Sequence, residues 1–270
     1  MFATSREQER AGMATSADFE GVVEPHYRAE GPGAAIAVRH RGEPIHVRGY
    51  GLANVEWRIP IDADTVFRIG SITKQFTAAA ILKLSEAGAL DIDDPIERHL
   101  TNYPVGDRRI TIRHLLNHTS GIKSYPGLPE FWASLSNKDL PLPDMIDVFK
   151  DLPLDFEPGE KFQYNNSGYL LLGAIIERAS GKDYAAFLRE SFFAPLGLTS
   201  TYYLHDRPVT PKRAAGYERR GREVIRERRT HLFANDDHAI DHAGRIGHPH
   251  EIKLWQGERL VAHFPAWRRL

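Results

Sequence analysis

Apolar residues recur near helical spacing after the Gly-Ser pair at residues 70–71, and they predict a long helix that begins there. The recurring positions are Ile72, Phe76, Ala79, Ala80 and Ile81. Gly88 ends the pattern, as a glycine typically does just beyond a helix. The prediction places Ser71 at the start of this helix and Lys74 one turn later on the same face.

Upstream of this helix, the pattern predicts one helix and one β-hairpin. Apolar positions within residues 19–27 indicate an amphipathic helix, which ends before Gly31-Pro32-Gly33. Residues 34–40 and 44–51 have the composition of two strands, joined by a turn at Arg41-Gly42-Glu43. We expect one face of this hairpin to be buried.

Downstream, three further helices are predicted, with loops rather than parallel strands between them. They cover residues 112–117 after the cap Thr111, residues 168–178 before Gly181, and a segment from Asp183 to Pro195. The proline-rich residues 122–160 are expected to be loop with one short helix near residues 145–150.

These patterns divide the chain into four segments. They are a disordered leader (1–16), an N-terminal helix with sheet strands (17–66), a helical region (67–217), and a divergent charged, histidine-rich tail (218–270).

Composition and charge exclude several function classes. The chain has 270 residues and a net charge of -1, which gives no attraction to nucleic acid. It has no cysteine, so a disulfide framework, a thiol nucleophile and a Cys-ligated metal are excluded. No run of about 18 apolar residues occurs, so no membrane span is predicted. The first residues lack an apolar signal segment, so we expect a cytoplasmic protein, or a periplasmic or secreted one if the true start lies upstream.

The spacing of Ser71 and Lys74 has a chemical use. A serine hydroxyl becomes a strong nucleophile when a neighbouring base takes its proton, and a neutral lysine can be that base. The helix start adds backbone N–H groups and partial positive charge, which stabilise an oxyanion. The alternative is that Ser71 caps the helix and Lys74 is a solvated lysine, because Ser-x-x-Lys alone is common.

A second candidate group is Tyr164-Asn165-Asn166, on a loop that leads into an apolar helix. The ordinary pKa values of tyrosine and lysine are close, about 10 and about 10.4, so Tyr164 could exchange protons with a neutral lysine. Asn166 projects to the same side of an extended segment as Tyr164. The alternative makes Tyr164 a half-buried loop aromatic and Asn166 a helix cap.

Three segments in order resemble the serine beta-lactamase-related family, which includes class C beta-lactamases, D-alanyl-D-alanine carboxypeptidases, D-aminopeptidases and esterases. They run from Phe67 to Thr77, from Leu115 to Ile122 and from Pro158 to Tyr169. The resemblance implies an α+β, beta-lactamase/transpeptidase-like fold, with the helical region packed on an antiparallel sheet. It implies that Ser71 is the acylated nucleophile and Lys74 its base.

The resemblance also assigns Tyr164 and Asn166 to the Tyr-x-Asn motif, with Tyr164 as a catalytic proton shuttle and Asn166 as a substrate-binding residue. The Ser71 N–H is the expected first oxyanion donor. No cofactor and no metal are implied, and the expected partner is a small acyl substrate.

The family's third motif, Lys-Thr-Gly or His-x-Gly, has no secure match. His242-Ala243-Gly244 fits the letters but follows Tyr164 too closely. We prefer an alignment in which residues 243–247 and 251–256 resemble the family's glycine-rich turn and tryptophan helix, which ends the chain before this motif and the last sheet strands. On that alignment, the hairpin at residues 34–51 has an exposed edge. We therefore expect poor stability or a homo-oligomer formed through that edge.

The histidines allow other interpretations that we consider weaker. His238, His242, His248 and His250, with Asp236, Asp237 and Asp241, could bind a metal, but a solvated polar tail is favoured. His114 and His118 are assigned to a capped helix end, and His118 is not expected to be a base.

The sequence thus favours a serine hydrolase that acts through an acyl-enzyme on an ester, a beta-lactam or a D-amino-acid peptide. The alternative is a truncated, weakly active or inactive homologue that binds acyl ligands or a partner.

Overall fold

The structure is a computed structural model that describes residues 15–135, 138, 140–204, 210–220, 223–227, 252–256 and 259–264. Within these ranges the α-helices are α1 (Ser16–Val23), α2 (Thr73–Glu86), α3 (Ile112–Leu116), α4 (Leu142–Asp147), α5 (Ser167–Ser180) and α6 (Tyr184–Leu188). The strands are β1 (Ala34–His40), β2 (Glu43–Tyr50), β3 (Leu52–Asn54), β4 (Ile59–Pro60), β5 (Tyr217–Arg220), β6 (Glu223–Glu227), β7 (Ile252–Gln256) and β8 (Arg259–Phe264).

The strands form four antiparallel pairs within the described part of the chain, β1 with β2, β3 with β4, β5 with β6 and β7 with β8. Helices and small antiparallel sheets therefore occur together, and the predicted α+β class is confirmed. None of the described helices is long and apolar enough to cross a membrane.

The described residues fall into two compact units. The first contains residues 15–92 and 175–227, and the second contains residues 93–174 together with β7 and β8. The boundary falls inside α5, so this helix contributes residues to both units.

In the first unit, α1 packs on one face of the β1–β2 hairpin. Thr15 caps α1 by accepting the Asp18 N–H, because an N-terminal N–H has no partner within its own helix. His46 of β2 is only 3% exposed, and its ring nitrogens lie 2.9 Å from Ser16 Oγ and 2.9 Å from Tyr50 Oη. The predicted hairpin is thus confirmed, and its more buried face carries His46 and Tyr50 of β2 opposite half-buried residues of β1.

The hairpin turn is a two-residue loop, Arg41-Gly42, between the paired residues His40 and Glu43. Both loop residues have positive φ, +48° and +87°, which is the geometry that matches the twist of two antiparallel strands.

Helix α2 buries a face that differs slightly from the predicted apolar stripe. Its buried residues are Thr77, Ala80, Ile81 and Leu84. Ile72 precedes the helix and is 57% exposed, so its apolar character does not mark the core. Phe76 contacts Phe193 edge-on, with ring centroids 5.5 Å apart, and this contact joins α2 to the segment after α6.

In the second unit, the core is built around α3 and the first half of α5. Its fully buried side chains include Ile96, Ile110, Ile112, Leu115, Phe149, Leu171 and Leu172. Thr111 caps α3 by accepting the His114 N–H, as the sequence predicts. The segment predicted as loop holds more structure than expected, because a 3₁₀ turn (Tyr125–Gly127) and a π-helix (Phe131–Leu135) precede α4.

Candidate functional site

Ser71 and Lys74 lie together at the start of α2 in the first unit. Ser71 belongs to the 3₁₀ turn Gly70–Ile72, and Lys74 is the second residue of the α-helix that follows. Lys74 Nζ lies 3.2 Å from Ser71 Oγ and donates a hydrogen bond to it. The same distance lets a neutral lysine accept the serine proton, so the arrangement can activate the hydroxyl.

The alternative in which the Ser71 side chain caps the helix is not what the structure shows. The residue before α2 is Ile72, and neither α2 nor the 3₁₀ turn before it has a side-chain cap. The Ser71 hydroxyl is instead directed to the Lys74 amine.

The backbone at Gly70 determines where Ser71 stands. Gly70 has a φ of +51°, a left-handed conformation that costs a glycine little and other residues more. Gly70 is the first residue of the 3₁₀ turn that contains Ser71, so its left-handed backbone sets the direction in which this turn starts.

The chain that leads to Gly70 is held by a neighbouring segment. Val66 donates to the Lys212 carbonyl at 3.0 Å and accepts from the Ala214 N–H at 2.8 Å. Lys212 Nζ also lies 3.0 Å from the Asp64 carboxylate and 3.4 Å from Asp62. These contacts hold residues 62–66, which lead to the 3₁₀ turn at Gly70, against residues 212–214.

Behind Lys74, α2 is tied to α6 by a hydroxyl pair. Thr77 Oγ1 and Tyr184 Oη are 2.7 Å apart. Burial raises the pKa of Tyr184, so it stays a neutral phenol and a hydrogen-bond partner across the ordinary pH range. This bond holds the face of α2 that lies one turn beyond Lys74.

Tyr164 and Asn166 lie in the second unit, on a segment paired with residues 118–122. Gln163 N–H donates to the His118 carbonyl at 2.9 Å, and Gly159 N–H donates to the Thr119 carbonyl at 2.8 Å. Asn166 N–H donates to Ser124 Oγ at 3.0 Å. The Tyr-x-Asn segment is therefore anchored through its backbone, while Tyr164 keeps 46% of its surface exposed.

Asn165, between the two motif residues, was missed by sequence reasoning. It is only 4% exposed, its Oδ1 accepts the Gly168 N–H at 2.8 Å, and its Nδ2 donates to the Ile122 carbonyl. The Asn165 amide therefore caps an N–H in the first turn of α5. An asparagine just before an apolar helix was the available sequence signal.

His118 follows the end of α3 and also contacts the Tyr-x-Asn segment. Its Nδ1 accepts the Asn165 N–H at 3.1 Å, which leaves the proton of the neutral ring on Nε2. Its ring centroid lies 4.8 Å from that of Tyr164, 5.1 Å from that of Tyr169 and 5.7 Å from that of Phe162. His118 therefore positions Tyr164 by packing and by a backbone hydrogen bond.

Gly121 permits the close approach of the two paired segments. Its φ is +73°, and a Cβ added there would lie 1.9 Å from the Phe156 carbonyl oxygen. The Asp155 N–H also donates to the Gly121 carbonyl at 2.8 Å. A larger residue would push residues 155–156 away from this turn.

Two more tyrosines lie close enough to Tyr164 to interact with its charge. Burial raises the pKa of Tyr125 and of Tyr169, and the phenolate form of Tyr164 raises both further. Tyr169 Oη also donates to the Leu116 carbonyl at 3.0 Å. Tyr125 and Tyr169 are therefore harder to ionise than an ordinary tyrosine.

The remaining candidates lie outside the described residues. They are the third-motif candidate His242 and the possible metal cluster of His238, His248, His250, Asp236, Asp237 and Asp241.

Solved structures similar to this chain include a penicillin-binding protein homologue and an amidase. An octameric penicillin-binding protein homologue from Pyrococcus abyssi has a TM-score of 0.66 and 31% identity, covering 83% of this chain and 50% of that one. A D-amino acid amidase from Ochrobactrum anthropi SV3, solved with D-phenylalanine, has a TM-score of 0.61 and 30% identity, covering 73% and 55%. These similarities confirm a beta-lactamase/transpeptidase-like fold.

The sequence model of the beta-lactamase family matches residues 9–246, and the chain belongs to this family, whose members are serine hydrolases. A penicillin-binding protein of Bacillus subtilis (strain 168) is 36% identical over 179 residues, which are 65% of this chain and 39% of that protein. The chain thus spans well under two thirds of the length of this relative.

Proposed function

We propose that the chain hydrolyses an ester, a beta-lactam or a D-amino-acid peptide through an acyl-enzyme formed on Ser71. The observation that carries the proposal is the 3.2 Å separation of Lys74 Nζ and Ser71 Oγ at the start of α2. Membership of a serine hydrolase family supports the same assignment.

In the proposed reaction, Lys74 takes the hydroxyl proton as Ser71 Oγ bonds to the substrate carbonyl carbon. The carbonyl oxygen becomes an oxyanion, and the Ser71 N–H is its proposed donor. The bond to the leaving group then breaks as Tyr164 passes the proton taken by Lys74 to the leaving group, and the acyl group stays on Ser71. Water then attacks the acyl carbon, its proton goes to Ser71 Oγ as the acid leaves, and Asn166 holds the substrate throughout.

The substrate class is proposed from the relatives and from the site together. The amidase solved with D-phenylalanine supports a D-amino-acid substrate, and the penicillin-binding relatives support a beta-lactam. A short ester tests the common step, because all three classes would acylate Ser71.

A burst assay with p-nitrophenyl acetate tests the proposal on the full chain. We expect a rapid release of about one nitrophenolate per chain, followed by slower turnover. Ser71→Ala should lower the rate by at least roughly 10³-fold. Ser85→Ala, at the other end of the same helix, is the matched control and should retain the burst.

Hydrolysis that is unchanged in Ser71→Ala would refute the acyl-enzyme assignment. Stoichiometric labelling of Ser71 without turnover would favour the alternative, a homologue that binds acyl ligands.

A homo-oligomer formed through the outer edge of β1 stays a prediction. Among the described strands, β1 is paired with β2 only, and the P. abyssi homologue is octameric. Light scattering across protein concentrations tests this, and a constant monomer mass would contradict it. The cytoplasmic location and the four segment boundaries also stay predictions.

A further inference from the structure

His118, in the second unit, occupies a backbone position that ordinarily favours a different residue. It follows the last residues of α3 and has a φ of +63°, in the left-handed region. Helices often end on a residue of this conformation, and that residue is usually glycine or asparagine, because a larger side chain is strained there. A histidine that adopts this conformation beside a candidate site points to a role for its side chain.

His118 holds the Tyr-x-Asn segment at two points, one on each side of Tyr164. Its carbonyl accepts the Gln163 N–H at 2.9 Å, and its Nδ1 accepts the Asn165 N–H at 3.1 Å. The imidazole also packs on the Tyr164 ring, with the centroids 4.8 Å apart. The position of the Tyr164 phenol therefore depends on where this imidazole lies.

The bond from the Asn165 N–H requires a neutral imidazole with its lone pair on Nδ1. A protonated ring carries a hydrogen on both nitrogens, so Nδ1 would become a donor that faces another donor. Asn165 is only 4% exposed, so water does not readily replace the lost acceptor. Histidine is the side chain that ordinarily gains a proton between about pH 5 and 8, so this bond is sensitive to pH.

The groups around the ring do not take over the role of the Nδ1 acceptor. The titratable rings packed against it are the phenols of Tyr164 and Tyr169, and burial raises the pKa of Tyr169. The other titratable or charged side chains on the neighbouring segments are directed to partners of their own: Arg113 to Asp93, His114 to the Thr111 N–H, Lys123 to Asp155, Glu160 to the Glu157 N–H, and Lys161 to the Phe156 ring. A proton on His118 therefore acts first on its bond with Asn165.

We propose that the charge state of His118 is a switch on the Tyr-x-Asn segment, because the neutral ring holds Tyr164 in place and the protonated ring releases it. His118 is then a positioning residue, which acts through Tyr164 and does not contact the substrate. The effect on rate rests on the proposed function, in which Tyr164 is the proton shuttle. The release of the Asn165 N–H does not depend on that function.

Two substitutions separate the acceptor from the charge. His118→Asn keeps an acceptor, Oδ1, at the place of Nδ1, gains no proton in this pH range and suits a left-handed residue. His118→Leu has a similar shape but no acceptor. His40→Asn makes the same replacement at an exposed residue at the end of β1 in the first unit, and it is the matched control.

The measurement is kcat/KM for p-nitrophenyl acetate between about pH 8 and about pH 5. The ratio of the His118→Asn value to the wild-type value should rise at least roughly 5-fold towards the lower pH, since only the wild type loses its acceptor. The ratio cancels the titration of Lys74, which both proteins share. The ratio for His40→Asn should stay constant, and His118→Leu should be slower than His118→Asn at every pH.

A purely structural role for His118 would slow the variants equally at every pH, so a constant ratio for His118→Asn would overturn the switch. Equal rates for His118→Leu and His118→Asn would overturn it as well. If the full chain does not hydrolyse the ester, the proposed function fails and hydrogen exchange of the Asn165 amide decides. Its protection factor should fall at least roughly 10-fold from about pH 7.5 to about pH 5 in the wild type but not in His118→Asn, and equal protection in the wild type at both pH values would overturn the proposal.

Discussion

Replacing Asn165 with alanine tests how the Tyr-x-Asn segment is held in place. The side chain is 4% exposed and makes two hydrogen bonds to backbone groups, one from the Gly168 N–H and one to the Ile122 carbonyl. Alanine would leave both backbone groups without these partners. Since each buried unsatisfied group costs about 1–3 kcal/mol, we expect the free energy of unfolding to fall by about 2–6 kcal/mol.

Urea denaturation followed by far-UV circular dichroism measures this loss. The matched control is Asn54→Ala, whose side chain accepts one bond from the Trp57 N–H at an exposed turn. Water can replace that bond, so the control should cost about 1 kcal/mol or less. A loss in Asn165→Ala no larger than in the control would refute the reasoning.

Asn165→Asp separates the two bonds. Aspartate keeps an acceptor for the Gly168 N–H, but it places a second oxygen against the Ile122 carbonyl. We expect a large loss of stability for this variant too, because a carboxylate oxygen and a carbonyl oxygen are both acceptors and cannot form a hydrogen bond with each other. Wild-type stability at neutral pH would contradict the assignment of the Asn165 amide.

Three further predictions follow from the described contacts. Gly121→Ala should destabilise the fold by about 1–3 kcal/mol, because its φ is positive and the new Cβ meets the Phe156 carbonyl; an unchanged urea midpoint would contradict this. Burial lowers the pKa of His114, so the unfolded chain binds the proton more tightly and stability should fall as pH drops below about 6.5. In His114→Gln the free energy of unfolding should fall less between pH 7.5 and about 5.5 than in the wild type, and an equal fall would refute this role of His114. Lys74→Ala should slow the acylation of Ser71 by at least roughly 10²-fold in the burst assay, and an unchanged burst rate would rule out its role as base.

The parts of the site that were predictable are those that depend on neighbours in sequence. Ser71 and Lys74 are three residues apart, so helical geometry alone brings them to the same side. The hairpin was predictable for a similar reason, because the Arg41-Gly42 turn joins its strands directly, although the register shift between Val38 and Arg39 was not predicted.

Long-range contacts explain what sequence reasoning missed. His118 accepts the Asn165 N–H across 47 positions, and Asn165 reaches the Ile122 carbonyl across 43. No local pattern encodes such a pairing, so Asn165 could be predicted only as a generic cap candidate. The π-helix at Phe131–Leu135 was missed as well, because the prolines around it favour loop.

The site of acylation tests the central claim most directly. The full chain is treated with a fluorophosphonate, digested, and the modified peptide is identified by mass spectrometry. We predict one adduct per chain on the peptide that contains Ser71, absent in Ser71→Ala and retained in Ser85→Ala. An adduct on another residue, or one that persists in Ser71→Ala, would contradict the acyl-enzyme account.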